Sequence, residues 1–163
     1  MTKKTGSSKY GFHWDPSLIN KFEKLLSNHE KGKVLDAGAG DGYSKSFFNQ
    51  NWEWTGIDFS PRSSIVQSGD LHNLDFESDT FDIVLSIAVF EHLHSPWIAM
   101  EEIFRVIKPG GSVFGTVAFL EPEHSNSYFH MTQHGITHLL EKAGFREITV
   151  SVQNNWTVIN SMN

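Results

Sequence analysis

The chain has 163 residues, 39% of them hydrophobic and 13% aromatic, which is enough for one domain with a sizeable core. Its 13 Lys and Arg stand against 19 Asp and Glu, and the net charge of −6 argues against a nucleic acid as main partner, because duplex binding needs a basic face. The absence of cysteine excludes disulfides, thiolate metal sites and a thiol nucleophile, and no apolar run approaches the roughly 18 residues of a membrane span.

The N-terminus, Met1 to Ser8, is polar and has no apolar leader, so the expected location is the cytoplasm. A single domain is expected over 1–163, with a flexible tail over 1–9, an N-terminal helical segment over 10–31 and an α/β core over 32–163. The segment Pro16 to His29 reads as a helix with Asp15 as N-cap and Pro16 at the first helical position, and Leu18, Phe22, Leu25 and Leu26 form its apolar stripe.

Lys33 to Ala37 reads as strand 1, and Val34-Leu35-Asp36-Ala37-Gly38-Ala39-Gly40-Asp41-Gly42 carries it into a glycine-rich turn. Glycines at 38, 40 and 42 let the backbone turn sharply and let a ligand lie against it without meeting a Cβ. Gly42 to Asn51 is predicted to be a helix with Phe47 and Phe48 facing inward, so the free N–H groups at its start face whatever is bound. Strand 2, Trp54 to Asp58, ends on a carboxylate about 20 residues beyond the first glycine, where it can accept both hydroxyls of a ribose. Together these features describe a nucleoside site. Two cofactor classes use that geometry. The dinucleotide fingerprint G-x-G-x-x-G would place its third glycine at 43, which is Tyr43; the spacing here is Asp-x-Gly-x-Gly-x-Gly.

Ile65 to Gln67 reads as strand 3. Only the segment 59–64 joins it to strand 2, too short for the usual parallel crossover, so the expected helix there is reduced to a turn at Ser60-Pro61-Arg62. Phe81 to Ile87 is strand 4, continuously apolar as in a sheet covered on both faces. Pro96 to Ile107 is a helix capped by Ser95 and stopped by Pro109-Gly110-Gly111. Strand 5 runs from Ser112 to Phe119, a helix from Thr132 to Ala143 ends on Gly144, and strand 6 runs from Phe145 to Val152. Gln153-Asn154-Asn155 is a turn into a short antiparallel strand 7, Trp156 to Asn160. This alternation predicts a doubly wound, mostly parallel α/β sheet of Rossmann-like form, with a shortened link between strands 2 and 3 and a minimal strand 7.

Further motifs follow in order: Gly69-Asp70-Leu71, Leu74-Asp75-Phe76, Asp79-Thr80-Phe81-Asp82-Ile83-Val84, Val89-Phe90-Glu91-His92-Leu93 and Arg105-Val106-Ile107-Lys108-Pro109-Gly110-Gly111. From about Lys33 to Val152 the series resembles the class I S-adenosylmethionine (SAM) dependent methyltransferases, in the group that includes the ubiquinone and menaquinone C-methyltransferases. The region from Phe119 to His124, with Tyr128 to Thr132 and Leu139 to Phe145, resembles a subgroup of small bacterial methyltransferases whose substrates are mostly unassigned.

The resemblance implies a SAM site and a role for each residue. Asp36 lies near the positively charged methionine end, and Gly38, Gly40 and Gly42 give close backbone approach. Asp58 takes the ribose hydroxyls, Phe59 lies against the adenine, Asp70 accepts from its amino group, and the Leu71 backbone faces a ring nitrogen. Ile87 or Ala88 floors the methionine end, and Tyr10, Phe12 and Trp14 either close over the cofactor, as in relatives, or pack into the core. Asp82, at the start of strand 4, reads as structural.

Nine histidines is a high count. His92 and His94 follow strand 4, where an acceptor would approach the methyl group, and His92 is the candidate general base. His134 and His138 have metal-compatible i, i+4 spacing, but no carboxylate completes a known pattern around them, so no metal is expected. The expected reaction moves a methyl group to a small-molecule or glycan-type acceptor. The alternatives are a non-catalytic module that binds SAM or its product, a piece of a larger methyltransferase, or an NAD-type oxidoreductase, which Tyr43 disfavours. The chain stops soon after strand 6, so a further expectation is an open cleft that suits a large acceptor or a second copy covering it in a homodimer.

Overall fold

In a computed structural model of the chain, which describes residues 14, 16–153 and 156–163, the apolar run Phe81–Ile87 lies in the middle of the sheet. The strands are β1 (Gly32–Ala37), β2 (Trp52–Asp58), β3 (Val66–Ser68), β4 (Phe81–Ile87), β5 (Ile107–Ala118), β6 (Arg146–Gln153) and β7 (Trp156–Met162). Their order is β3-β2-β1-β4-β5-β7-β6. Every pairing is parallel except those of β7, which runs antiparallel to both β5 and β6. The helices are α1 (Pro16–Ser27), α2 (Pro96–Val106) and α3 (Gln133–Ala143).

Side chains alternate between the two faces of the sheet, so each face has its own core. On one face Leu35, Ala37, Val113 and Val117 meet Ala99, Met100 and Ile103 of α2 and Ile136 and Leu140 of α3. On the other, Val34, Ile83, Leu85 and Phe114 meet Leu18, Phe22 and Leu25 of α1, together with Trp14 and Phe47. The α3 helix has the cap chemistry expected of it: the Thr132 hydroxyl accepts the Gly135 N–H, and Gly144 closes the helix with φ 113°.

The short link between β2 and β3 has a simple explanation. Gly56 pairs with Val66 and Asp58 with Ser68, so β3 lies beside only the last residues of β2. The chain therefore has to step back by two residues and not by a whole strand, and no crossover helix is needed.

Sequence reasoning was wrong about the segment after the glycine turn. In place of a helix over Gly42 to Asn51 there is one short 3₁₀ helix, Tyr43–Phe47. The register Gly32↔Trp52 makes this segment return the full height of β1, about 20 Å for its six residues. Ten residues of α-helix would cover only about 15 Å, so a short 3₁₀ helix followed by extended chain spans the distance. The strand β5 also begins earlier than predicted, at Ile107, because Gly110 and Gly111 bond with Asn163 at the far end of β7. The helix-free crossover from β3 to β4 is held by Arg105 of α2, whose guanidinium donates to the carbonyls of Leu74 (2.9 Å) and Phe76 (2.7 Å) and pairs with Glu102.

No helix among the described residues is long and apolar enough to cross a membrane. The predicted N-terminal tail, the Asp15 cap and most of the turn over 153–155 lie outside the described residues.

Candidate functional site

The sheet order reverses around β1: β2 lies on one side and β4 on the other. The chain leaves these strands in opposite directions at their carboxyl ends, and the crevice between the departing loops is where open α/β sheets bind ligands. A cleft of about 870 Å³ lies there. Of the residues singled out from sequence, Gly38, Gly40, Asp58, Phe59, Asp70, Leu71, Ile87 and His92 all line it.

The glycine turn forms the floor. The N–H groups of Gly38 and Ala39 both donate to the Ile57 carbonyl, at 2.9 and 2.8 Å. Gly38 has φ 91°, and a Cβ there would come within 2.3 Å of the Val89 side chain. Gly40 has φ 59°, and its N–H donates to Asp58 Oδ2 at 2.8 Å. Asp58 Oδ1 accepts the Ser60 N–H at 2.8 Å. One carboxylate therefore fixes the loops after β1 and β2 while it lines the cleft. Phe59 beside it is 82% exposed and offers the cleft an open aromatic face.

Asp70 lies on the next loop. Its Oδ1 accepts from the His72 backbone N–H (2.9 Å) and the His72 ring (2.7 Å), and these bonds hold its carboxyl below the usual range. The His72 ring in turn stacks on His94 at 4.2 Å. At the end of β4, Ala88 turns left-handed with φ 55° immediately after Ile87, and its N–H bonds to Thr116 of β5.

Asp36 and Gly42 do not line the cleft. Asp36 is 4% exposed, takes a hydrogen bond from the Ser44 hydroxyl, and is pushed up to about 7, mainly by burial and further by Asp58 and Asp41. Gly42 caps the 3₁₀ helix at φ 81° and leaves no room for a Cβ, which would meet Ile65 and Val66. Trp14 is a core residue and not a lid over the cleft: it is 4% exposed and packs on Phe22, Phe47 and Phe114. Its indole N–H donates to the hydroxyl of Tyr43, which does line the cleft. Tyr10 and Phe12 lie outside the described residues. Asp82 sits at the opposite end of the sheet, paired with Lys108 and bonded to the Lys33 N–H.

At the far wall of the cleft, His92 ends a 3₁₀ turn over Phe90–His92. Burial holds its ring below the usual histidine range, helped by His124 and His130 nearby. The neighbouring Glu91 is fully buried, and burial pushes its carboxyl up to about 7. The loop of residues 121–130 closes over this end, tied down by the Tyr128 N–H on the Glu91 carbonyl at 2.6 Å. Sequence reasoning missed Arg62, His72, Tyr43 and the 125–128 segment as lining residues. His72 follows a motif already singled out. The 125–128 segment reaches the cleft only through tertiary folding.

His134 and His138 are both exposed on α3. Among the described residues the one group able to hold a metal is Glu91, His92 and His124.

Residues 35–115 match a family described as "Methyltransferase domain". An uncharacterized methyltransferase of Mycobacterium sp. (strain JLS) is 31% identical over 119 residues, which is 66% of this chain and 45% of that protein. The chain thus spans about half the length of the curated relatives it matches. A Thermotoga maritima structure, described as a SAM-dependent methyltransferase and possible histamine N-methyltransferase, superposes with a TM-score of 0.71 at 18% identity, covering 90% of this chain and 88% of that one. The Burkholderia thailandensis 1,6-didemethyltoxoflavin-N1-methyltransferase, solved with bound 1,6-didemethyltoxoflavin and S-adenosylhomocysteine, superposes with a TM-score of 0.70 at 20% identity, covering 91% of this chain and 78% of that one.

Proposed function

We propose that this chain is a class I SAM-dependent methyltransferase that binds SAM in the strand-end cleft and transfers its methyl group to a small acceptor that enters past His92. The observation that carries this reading is the meeting of Gly40, Asp58 and Asp70 in one cleft: a backbone without side chains, a carboxylate for a ribose and a second carboxylate for an adenine amino group. The cleft's volume lies within the range of small-molecule and cofactor sites. Phe59 supplies the apolar face for the adenine.

SAM brings its own reactivity, because its methyl carbon is bonded to a sulfonium sulfur. When bound, it would supply that methyl group to the acceptor's lone pair and be left as S-adenosylhomocysteine as the carbon–sulfur bond breaks, the acceptor's proton passing to a base or to water at the acceptor end. The chain's work is to align acceptor and methyl group and to keep water out. Ile87 and Val89 give that end of the cleft its apolar wall. His92 is the residue we assign to the acceptor side, and the cofactor contacts belong to the loops after β1, β2 and β3.

The test is incubation with methyl-labelled SAM and a library of hydroxyl- and amine-bearing metabolites. Label in a product together with S-adenosylhomocysteine release is the expected result. Cofactor binding with no label transferred to any compound would favour a module that binds SAM without catalysis.

A further inference from the structure

We propose that Glu91, His92 and His124 bind a divalent transition-metal ion at the acceptor end of the cleft. Their candidate ligand atoms all lie within 4.8 Å of one another. Glu91 is fully buried, and neither of its carboxylate oxygens has a hydrogen-bond partner among the described residues. Such a group normally costs stability, and native proteins rarely leave it unexplained. Protonation does not resolve it, since a carboxylic acid needs an acceptor for its O–H. A cation bound between the carboxylate and two imidazoles would satisfy it.

The histidines are arranged as metal ligands are. His124 Nδ1 lies 3.1 Å from the Pro122 carbonyl, so that nitrogen carries the proton and donates it. The other nitrogen, Nε2, is left unprotonated with a lone pair to give. A ring N–H held by a backbone carbonyl is the usual outer support of a metal-bound histidine. The rings of His92 and His124 meet edge to face at 5.3 Å, beside the Glu91 carboxylate. His130 stands behind His124 at 5.7 Å, and Glu121 Oε2 lies 3.7 Å from His124 Nδ1, so a carboxylate charge also faces the site from outside.

Two imidazoles and one carboxylate suit zinc, iron, cobalt, nickel or manganese, and not calcium, which takes all-oxygen sites. Three protein ligands leave at least one coordination position for water or for an oxygen or nitrogen of the acceptor. His92 belongs both to the cluster and to the cleft wall. Its part on the acceptor side is then to hold the ion that positions the acceptor and lowers the pKa of its hydroxyl. Metal binding does not depend on SAM binding, and each can fail without the other.

The experiment uses chelator-treated protein without SAM. Zn²⁺ is titrated by calorimetry and Co²⁺ by visible absorption, with the His92→Ala, His124→Ala and Glu91→Gln variants and the double variant His134→Ala/His138→Ala. The expected result is one ion per chain in the parent, at least about tenfold weaker binding in each cluster variant, and parent-like binding in the α3 double variant. Zn²⁺ should also raise the melting temperature of the parent and not that of His124→Ala. His124 lies on a partly exposed loop, so this variant remains informative if Glu91→Gln does not fold. No ion bound by the parent overturns the proposal, as does undiminished affinity in both His92→Ala and His124→Ala.

Discussion

Asp58 holds Gly40: its Oδ2 accepts the Gly40 N–H at 2.8 Å and fastens the loop after β1 to the end of β2. The same carboxylate takes the Ser60 N–H on its other oxygen, so it organises the cleft before any ligand arrives. Asp58→Ala should therefore do two things. In the proposed site it would remove charge-assisted hydrogen bonds to the ribose, each worth roughly 1.5–3 kcal/mol, and SAM affinity should fall at least about tenfold. It also frees two backbone donors, so the melting temperature without ligand should drop. Calorimetry and thermal melts on the same preparation check both. Unchanged affinity would place the ribose elsewhere.

Phe59 separates binding from stability. It is 82% exposed, so Phe59→Ala should leave the melting temperature without ligand unchanged. Base–aromatic stacking is worth roughly 1–3 kcal/mol, so SAM affinity should fall roughly 5- to 150-fold. A variant that binds as tightly as the parent would show that the adenine does not lie on this ring.

Asp36 gives the chain a pH dependence. Burial lets it keep its proton up to about pH 7 in the folded chain, against an ordinary value of 3.8. Between those values the folded state binds more protons than the unfolded state, so this residue makes stability fall as pH rises. Asp36→Asn removes the titration and keeps an acceptor for the Ser44 hydroxyl. Thermal melts of both proteins at about pH 5 and about pH 8 should show the variant gaining on the parent as pH rises. A difference that is constant across that range would mean that Asp36 is already ionised in the folded chain.

His92→Ala should lower turnover by about 10²–10⁴-fold while SAM affinity stays within a few-fold. Turnover is read as S-adenosylhomocysteine release with whichever acceptor the library screen returns. Full turnover in the variant would leave His92 with a structural part only.

The loop glycines, Asp58 and Asp70 were legible in the sequence because their spacing is local: a strand, a turn and a carboxylate at the next strand end. The strands were legible for the same reason, since runs such as Phe81–Ile87 carry their burial on both faces in their composition. The expected helix after Gly42 was not borne out, because the height of β1 and the register with β2 set the length to be covered, and local propensity could not report it. For Trp14 the sequence left a lid and core packing both open, and only the tertiary fold decides: it is packed in the core beneath Tyr43. The meeting of Glu91 and His92 with His124 was invisible, because the loop that carries His124 is brought there by the Tyr128 N–H bond to the Glu91 carbonyl.

The function proposed for this chain rests on the cleft after β1, β2 and β4 being a SAM site. Titration calorimetry of the parent chain with SAM, S-adenosylhomocysteine and NAD tests it directly. The expected result is one SAM or S-adenosylhomocysteine per chain, with no binding of NAD. Binding of NAD with no heat from SAM or S-adenosylhomocysteine would contradict it.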